Sequence, residues 1–134
     1  MRKYWDKLTD SYYRVAICGD RDWKYKKPIR EELEILRNTF GLKLIVACGM
    51  CRGADILAWE ICEELGIDRI AFPANWSGRH NSAGPFRNML IINFFRPDKV
   101  IAFHNDIGKS KGTKHMLKIA EKANCVTKLI VCKE

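Results

Sequence analysis

The stretch from Val100 to Ala120, VIAFHNDIGKSKGTKHMLKIA, constrains the fold of this chain more than any other. Val100-Ile101-Ala102-Phe103 is an uninterrupted apolar run, with the length and bulk of a strand buried on both faces. His104-Asn105-Asp106 ends it. A loop holding Gly108, Lys109, Ser110, Lys111 and Gly112 then leads into Met116, Leu117, Ala120 and Ala123, which recur at helical spacing. The order is strand, glycine loop, helix. In an open α/β sheet ligands sit at this junction, because the free N–H groups and the positive end of the helix dipole point past the end of the strand. A helix start favours Asp or Glu, yet this one gathers Lys109, Lys111 and Lys114. Like charge on that dipole is unfavourable by roughly a few tenths of a kcal/mol per exposed residue. A bound anion reverses the sign, and phosphate is the natural candidate.

The same alternation runs along the rest of the chain. Val15-Ala16-Ile17-Cys18 reads as a first strand, ended by Gly19-Asp20-Arg21-Asp22-Trp23. Ile29, Leu33, Leu36 and Phe40 mark an amphipathic helix between Pro28 and Gly41. Leu44–Cys48 is a second strand, and Gly49-Met50-Cys51-Arg52-Gly53-Ala54-Asp55 turns it into a helix carrying Leu57, Ala58, Ile61 and Leu65, closed by Gly66. Arg69–Phe72 is a third strand. A polar loop and Gly84-Pro85-Phe86-Arg87-Asn88 precede Met89–Phe95, apolar nearly all round and therefore expected to be buried in the fold or at a subunit interface. A last strand falls within Cys125–Cys132, where Lys128 interrupts the run as an edge strand tolerates. Strict alternation means parallel pairing through right-handed crossovers, a three-layer Rossmann-like α/β domain with a mainly parallel sheet of about five strands. At 134 residues the chain is the size of one domain, expected over residues 14–134, with 1–13 as an aromatic and basic lead-in that packs on the domain or on a second subunit.

Lys plus Arg is 24 against 16 Asp plus Glu, a net charge of +8, which suits an anionic partner or simply a solvated surface. No apolar run approaches the roughly 18 residues of a membrane span, and the N-terminus lacks the apolar core of a signal peptide. A cytoplasmic protein without a membrane partner is expected. The six cysteines agree, since Cys18, Cys48 and Cys132 close strand-like runs and Cys62 lies in a helix pattern, as reduced core cysteines do.

If the first, second and fourth strands are neighbours, their three glycine-bearing loops converge on one crevice. In the first, Gly19 permits a tight turn, Arg21 can fork onto a phosphate, and Asp20 or Asp22 can accept from a ribose hydroxyl or activate water; a local salt-bridged turn is the plainer reading. Trp23 either stacks on a base or caps the core. In the second, Gly49 and Gly53 let a ligand approach the backbone before the helix that begins near Ala54, although they are too far apart for the GxGxxG fingerprint. Asp55 is either a dipole-stabilised first-turn residue or a ligand contact. Cys48 and Cys51 form a CxxC, but a zinc site needs further ligands and the sequence has no second CxxC and no HxxxH, so neither metal nor cofactor is expected. A third group is Asn75, Trp76, Gly84, Arg87 and Asn88, in which Arg87 must face a crevice, a carboxylate or an anion because burying it unpaired would be costly. His104 and His115 lack partners in sequence and read as structural or surface residues.

Taken together, VAICGDRDW at 15 to 23, IVACGMCRGAD at 45 to 55, FPANW at 72 to 76, AGPFRN at 83 to 88 and VIAFHNDIGKSKGTKHM at 100 to 116 resemble the SLOG superfamily, in its branch of small stand-alone domains related to YspA and YpsA. The resemblance implies a Rossmann-like domain, often dimeric, that binds a nucleotide or nucleotide-derived ligand such as an ADP-ribose-like molecule over the strand ends. Lys111, Gly112 and Thr113 would hold one phosphate, Gly19 and Arg21 a second phosphate or the ribose, and Arg87 would close the site. Relatives also include phosphoribohydrolases of the lonely-guy type and DprA-type proteins that bind single-stranded DNA. In those hydrolases an Arg and a Glu carry the chemistry. Arg87 matches the Arg and Gly112-Thr113 the end of the glycine loop, but Met116 stands at the Glu, and a thioether cannot accept a proton. A hydrolase reading, acting on a nucleoside monophosphate, therefore turns to Arg87 with Asp20 or Asp22. Single-stranded nucleic-acid binding is the third reading.

Overall fold

The computed structural model describes residues 11–75 and 82–132. Its strands are β1 (Tyr13–Gly19), β2 (Leu44–Cys48), β3 (Asp68–Ala71), β4 (Lys99–Phe103) and β5 (Val126–Ile130). They form one parallel sheet in the order β3-β2-β1-β4-β5, with Val15 level with Val46 on one side and Lys99 on the other. Helices α1 (Lys26–Phe40), α2 (Ala54–Leu65), α3 (Ala83–Leu90, prolonged by a wide π turn over Ile91–Phe95) and α4 (Gly112–Lys122) make the crossovers that parallel pairing requires. This is the expected three-layer α/β architecture. The strand order reverses between β1 and β4, which puts the switch point beside the β1 loop.

Alternation along the strands sorts the core into two layers. Val15 and Ile17 of β1, Val46 of β2 and Ile101 and Phe103 of β4 point to one face, where Ile29, Leu33 and Leu36 of α1 and Ala58 and Ile61 of α2 cover them. Ala16, Ala47 and Val100 point to the other and meet Ile91, Ile92 and Phe95 of α3 and Met116 and Ala120 of α4. Val100, Ile101, Ala102 and Phe103 are fully buried, as a strand with helices on both faces must be. Burying each of the larger ones is worth about 1.5–3 kcal/mol. At the edge, β5 pairs only with β4 and leaves Val126 and Leu129 exposed, while Lys128 reaches Glu32 of α1 at 2.6 Å.

Three expectations change. Tyr13 is not part of a lead-in: it opens β1 and stacks on Phe40 with ring centroids 4.0 Å apart, because a flat apolar surface is available at the end of α1. The remaining aromatics of the lead-in, Tyr4 and Trp5, lie outside the described residues, and Tyr12 is half-buried. The α3 helix begins at Ala83, so Gly84, Pro85, Phe86, Arg87 and Asn88 are helical; Pro85 falls in the first turn, where its missing N–H leaves no bond unmade. Met89–Phe95 is also not buried all round. Ile91, Ile92 and Phe95 are buried, whereas Met89, Leu90 and Phe94 are each exposed by about two fifths.

Gly19 has a packing reason. A β-carbon there would run into the Phe103 carbonyl oxygen and stand 2.8 Å from Ala54 Cβ. At Gly108 the nearest atom, Asp106 Oδ1, would be 3.8 Å away. Urea denaturation should therefore find Gly19→Ala destabilised by about 1–3 kcal/mol, through overpacking between strand and helix. Gly108→Ala should stay within about 0.5 kcal/mol of wild type.

Candidate functional site

The C-terminal ends of β1, β2 and β4 are tied to one another before any ligand is considered. Past Gly19, the Asp20 amide donates to Phe103 O at 2.9 Å, carrying the β1–β4 pairing into the loop. Asp20 O accepts from the amides of Trp23 (3.2 Å) and Ala54 (3.1 Å), and Asp20 Oδ1 accepts from the Asp22 amide at 3.0 Å, an Asx turn. Gly53, at φ +85°, lies against the Asp20 carbonyl and the backbone of Arg21, where no side chain fits. The second loop also bends through Met50 at φ +63°. At the other side, Ser110 Oγ accepts from the Thr113 amide at 3.0 Å and caps α4. A β-carbon on Gly112 would meet nothing within 4 Å, so the start of α4 opens on free space.

Between these ends and the first turns of α3 lies a crevice of about 500 Å³. Gly19, Asp20, Arg21 and Asp22 line it from the β1 loop and Asp55 from α2. Gly84, Arg87 and Asn88 line it from α3, and Lys111, Gly112 and Thr113 from α4. Four further candidates sit elsewhere. Trp23 is 4 % exposed, edge-on to Phe103 and donating from Nε1 to Tyr25 O at 2.8 Å, so of its two readings the capping of the core is the one that applies. Gly53 and Ala54 serve the contact between the first two loops, and Gly49 borders a separate hollow of about 300 Å³ that shares Arg21, Cys51 and Arg52 with the crevice. Trp76 lies outside the described residues.

Sequence reasoning passed over Cys18, Cys51, Arg52, Ser110 and His104 as lining residues. Position relative to a strand end was the usable signal for His104, which directly follows β4. Its Nδ1 accepts from the Asp106 amide at 2.9 Å, so the neutral ring carries its proton on Nε2. Cys48 and Cys51 do not act as a pair: Cys48 is in the core, and Cys51 Sγ lies 3.7 Å from Arg87 Nη2 in the crevice. Met116 is 1 % exposed in the α3–α4 core layer, away from the crevice.

Arg87 holds the far wall. Its Nη1 donates to Gly49 O at 2.6 Å and its Nε to Asn88 Oδ1 at 3.0 Å, while Asn88 Nδ2 reaches Gly112 O (3.3 Å) and His115 Nδ1 (3.2 Å). This chain links β2, α3 and α4 across the crevice mouth. Beneath Arg87 is Asp55, 5 % exposed. Its Oδ2 accepts from the Cys51 amide at 3.2 Å, and among the described residues Oδ1 has no partner. Burial pushes the carboxyl up to about 6, against the opposing pull of Arg87, the Cys51 amide and Arg21. The Cys18 thiol beside it is pushed up as well, first by burial and then by the Asp55 charge, and stays protonated. At the rim, Arg52 and Asp22 approach to 3.5 Å, both largely exposed.

Comparison with known proteins bears on the family and the fold. The model of the YspA, cpYpsA-related SLOG family matches residues 13–80, which hold β1 to β3 and the first two loops. The Gene 61 protein of Mycobacterium phage D29 is 32 % identical over 117 residues, covering 82 % of this chain and 90 % of that protein. DNA processing protein A (DprA) of Streptococcus pneumoniae superposes with a TM-score of 0.74 at 15 % identity, over 95 % of this chain and 53 % of the other. The chain thus spans about half the length of DprA and shares its fold.

Asp55 makes the site costly to the fold. Its carboxyl binds a proton more tightly in the folded protein than at the ordinary value of 3.8, so the folded state holds more protons than the unfolded one between about pH 4 and 6, and stability falls as pH rises through that window. Asp55→Asn keeps an acceptor for the Cys51 amide and removes the charge. Thermal unfolding should show the variant more stable than wild type by about 1–3 kcal/mol at pH 7, with the gap narrowing as pH falls below about 6 and closing only near pH 4.

Proposed function

The chain belongs to the YspA, cpYpsA-related SLOG family, and on that premise we propose that it binds a nucleotide or nucleotide-derived anion, of ADP-ribose-like or nucleoside-monophosphate type, in the crevice over the ends of β1, β2 and β4. The observation that carries the reading is that Arg87 and the open N-terminus of α4, joined through Asn88, line one cavity of about 500 Å³. That is a nucleotide's scale, within the roughly 300–1,000 Å³ of small-molecule sites. Lys111, Gly112 and Thr113 then take a phosphate on the helix end, where the anion offsets the crowding of Lys109, Lys111 and Lys114. Arg21 takes a second phosphate or the ribose at the Gly19 turn. The hollow beyond Arg21 and Arg52 gives a second moiety somewhere to go, which favours a two-part ligand over a mononucleotide.

The hydrolytic alternative fares less well on the same residues. Arg87 lines the crevice while bonded to Gly49 O and Asn88 Oδ1, but Asp20 is turned onto the Asp22 amide and Asp22 stands at the rim with Arg52. A second reading rests on charge: Lys111, Lys118 and Lys122 follow one exposed face of α4 away from the crevice, and the neighbour of like fold is named a DNA processing protein. A single strand seated at the α4 terminus would run its phosphates along that face.

A ligand panel separates the two. ADP-ribose, NAD and AMP should raise the melting temperature by several degrees at about 100 times the dissociation constant, equivalent to about 2.7 kcal/mol. Arg87→Ala should weaken that ligand about tenfold or more, at a cost in stability of about 1.5–3 kcal/mol for the lost bonds to Gly49 O and Asn88 Oδ1. A shift seen only with oligonucleotides and only at low salt would sink the small-ligand reading.

A further inference from the structure

Asp55 has a chemistry that anion binding alone does not use. It is a carboxylate 5 % exposed, on the floor of a crevice read here as an anion site, with one oxygen on a backbone amide and the other unpartnered among the described residues. Gly49 shows how near its counter-charge is: a β-carbon there would stand 2.9 Å from Asp55 Oδ2 and would clash with Arg87 Nη1, so both groups press on one side of that residue. The charged groups around it are Arg87 from α3 and Arg21 from the β1 loop, with the thiols of Cys18 and Cys48 on the strand side and that of Cys51 against Arg87. His104 and Lys111 line the same crevice from β4 and α4.

We propose that Asp55 is the proton-binding residue of this crevice, taking up a proton as an anionic ligand settles on Arg87, so that ligand and proton bind together. The inference rests on the anion-site reading above. Arg87 favours the ionised carboxylate, and an anion on its guanidinium offsets that field while the ligand displaces water from the crevice. Both changes favour the neutral acid, from a starting point already near 6. The new O–H belongs on Oδ1, the oxygen without a partner among the described residues. The stoichiometry is one carboxylate, one solvent proton and one anion giving a carboxylic acid beside a bound anion, with no covalent bond to the ligand.

Calorimetric titration with ADP-ribose tests this, because its diphosphate diester does not itself titrate near neutrality; sulfate serves as a second anion of the same kind. At pH 7, in buffers of different ionisation enthalpy, binding should take up about 0.5 to 1 proton per ligand, and by reciprocity affinity should rise about threefold to tenfold per unit fall in pH between about 8 and 6.5. In Asp55→Asn the uptake should vanish and the affinity become flat with pH, while His104→Gln and His115→Gln retain both. Binding without proton uptake, or uptake that survives in Asp55→Asn and is lost in a histidine variant, overturns the proposal and leaves the anion site standing. No binding of either anion overturns the site as well. If Asp55→Asn does not fold, the carboxyl-carbon resonance of Asp55 in wild-type protein decides: it should move toward the protonated position when ADP-ribose is added at pH 7, and a fixed ionised position would overturn the proposal.

Discussion

Everything at the top of this sheet depends on how closely three strand ends approach one another. The Phe103 carbonyl at the end of β4, the Gly19–Asp20 peptide at the end of β1 and the Gly53–Ala54 peptide at the start of α2 form one continuous backbone contact. Glycine is the residue that fits at 19 and at 53, in the first case for space and in the second for both space and a positive φ. With the backbone fixed there, the crevice needs no side chain to define its floor. Side chains are free to carry charge.

That freedom is used against stability. Asp55 sits where a small apolar residue would pack, as Ala54 and Ala58 do on the same helix. Met50 holds a left-handed conformation that glycine would adopt more cheaply. The α4 terminus has no acidic residue in its first turn and is capped by the neutral Ser110 while lysines crowd it. None of these choices helps an isolated fold, and all three lie in the loops over the strand ends or in the first helical turns that follow them. Local rules broken together in one place, with the two core layers obeying theirs, are the pattern expected where binding rather than folding set the sequence.

The strands were legible because burial on both faces leaves no room for polar residues: the apolar run Leu44–Cys48 is β2 to the residue. The edge position of β5 was readable from Lys128 for the converse reason. The start of α3 was hidden, since Gly84-Pro85 is turn chemistry in sequence and becomes helical only because a first turn needs no N–H from Pro85. Trp23 shows another limit. Adjacent to Asp20, Arg21 and Asp22 in sequence, it is carried by the Asx turn to the opposite side, into the core. Asp55 could be read as a first-turn carboxylate but not as a buried one, because its burial is made by Arg87 and the Gly49 loop, which are distant in sequence.

Met116 bears on which branch of chemistry such a crevice supports. Its side chain packs with Ile91, Phe95, Val100 and Ala120, one turn inside α4 and under the sheet-facing side of the helix. In this chain a carboxylate at 116 would be buried among those residues, facing no ligand and no counter-charge, at the cost that burying an unpaired charge carries. The buried carboxyl that lines the crevice stands instead at the start of α2, on the other helix layer, within the field of Arg87.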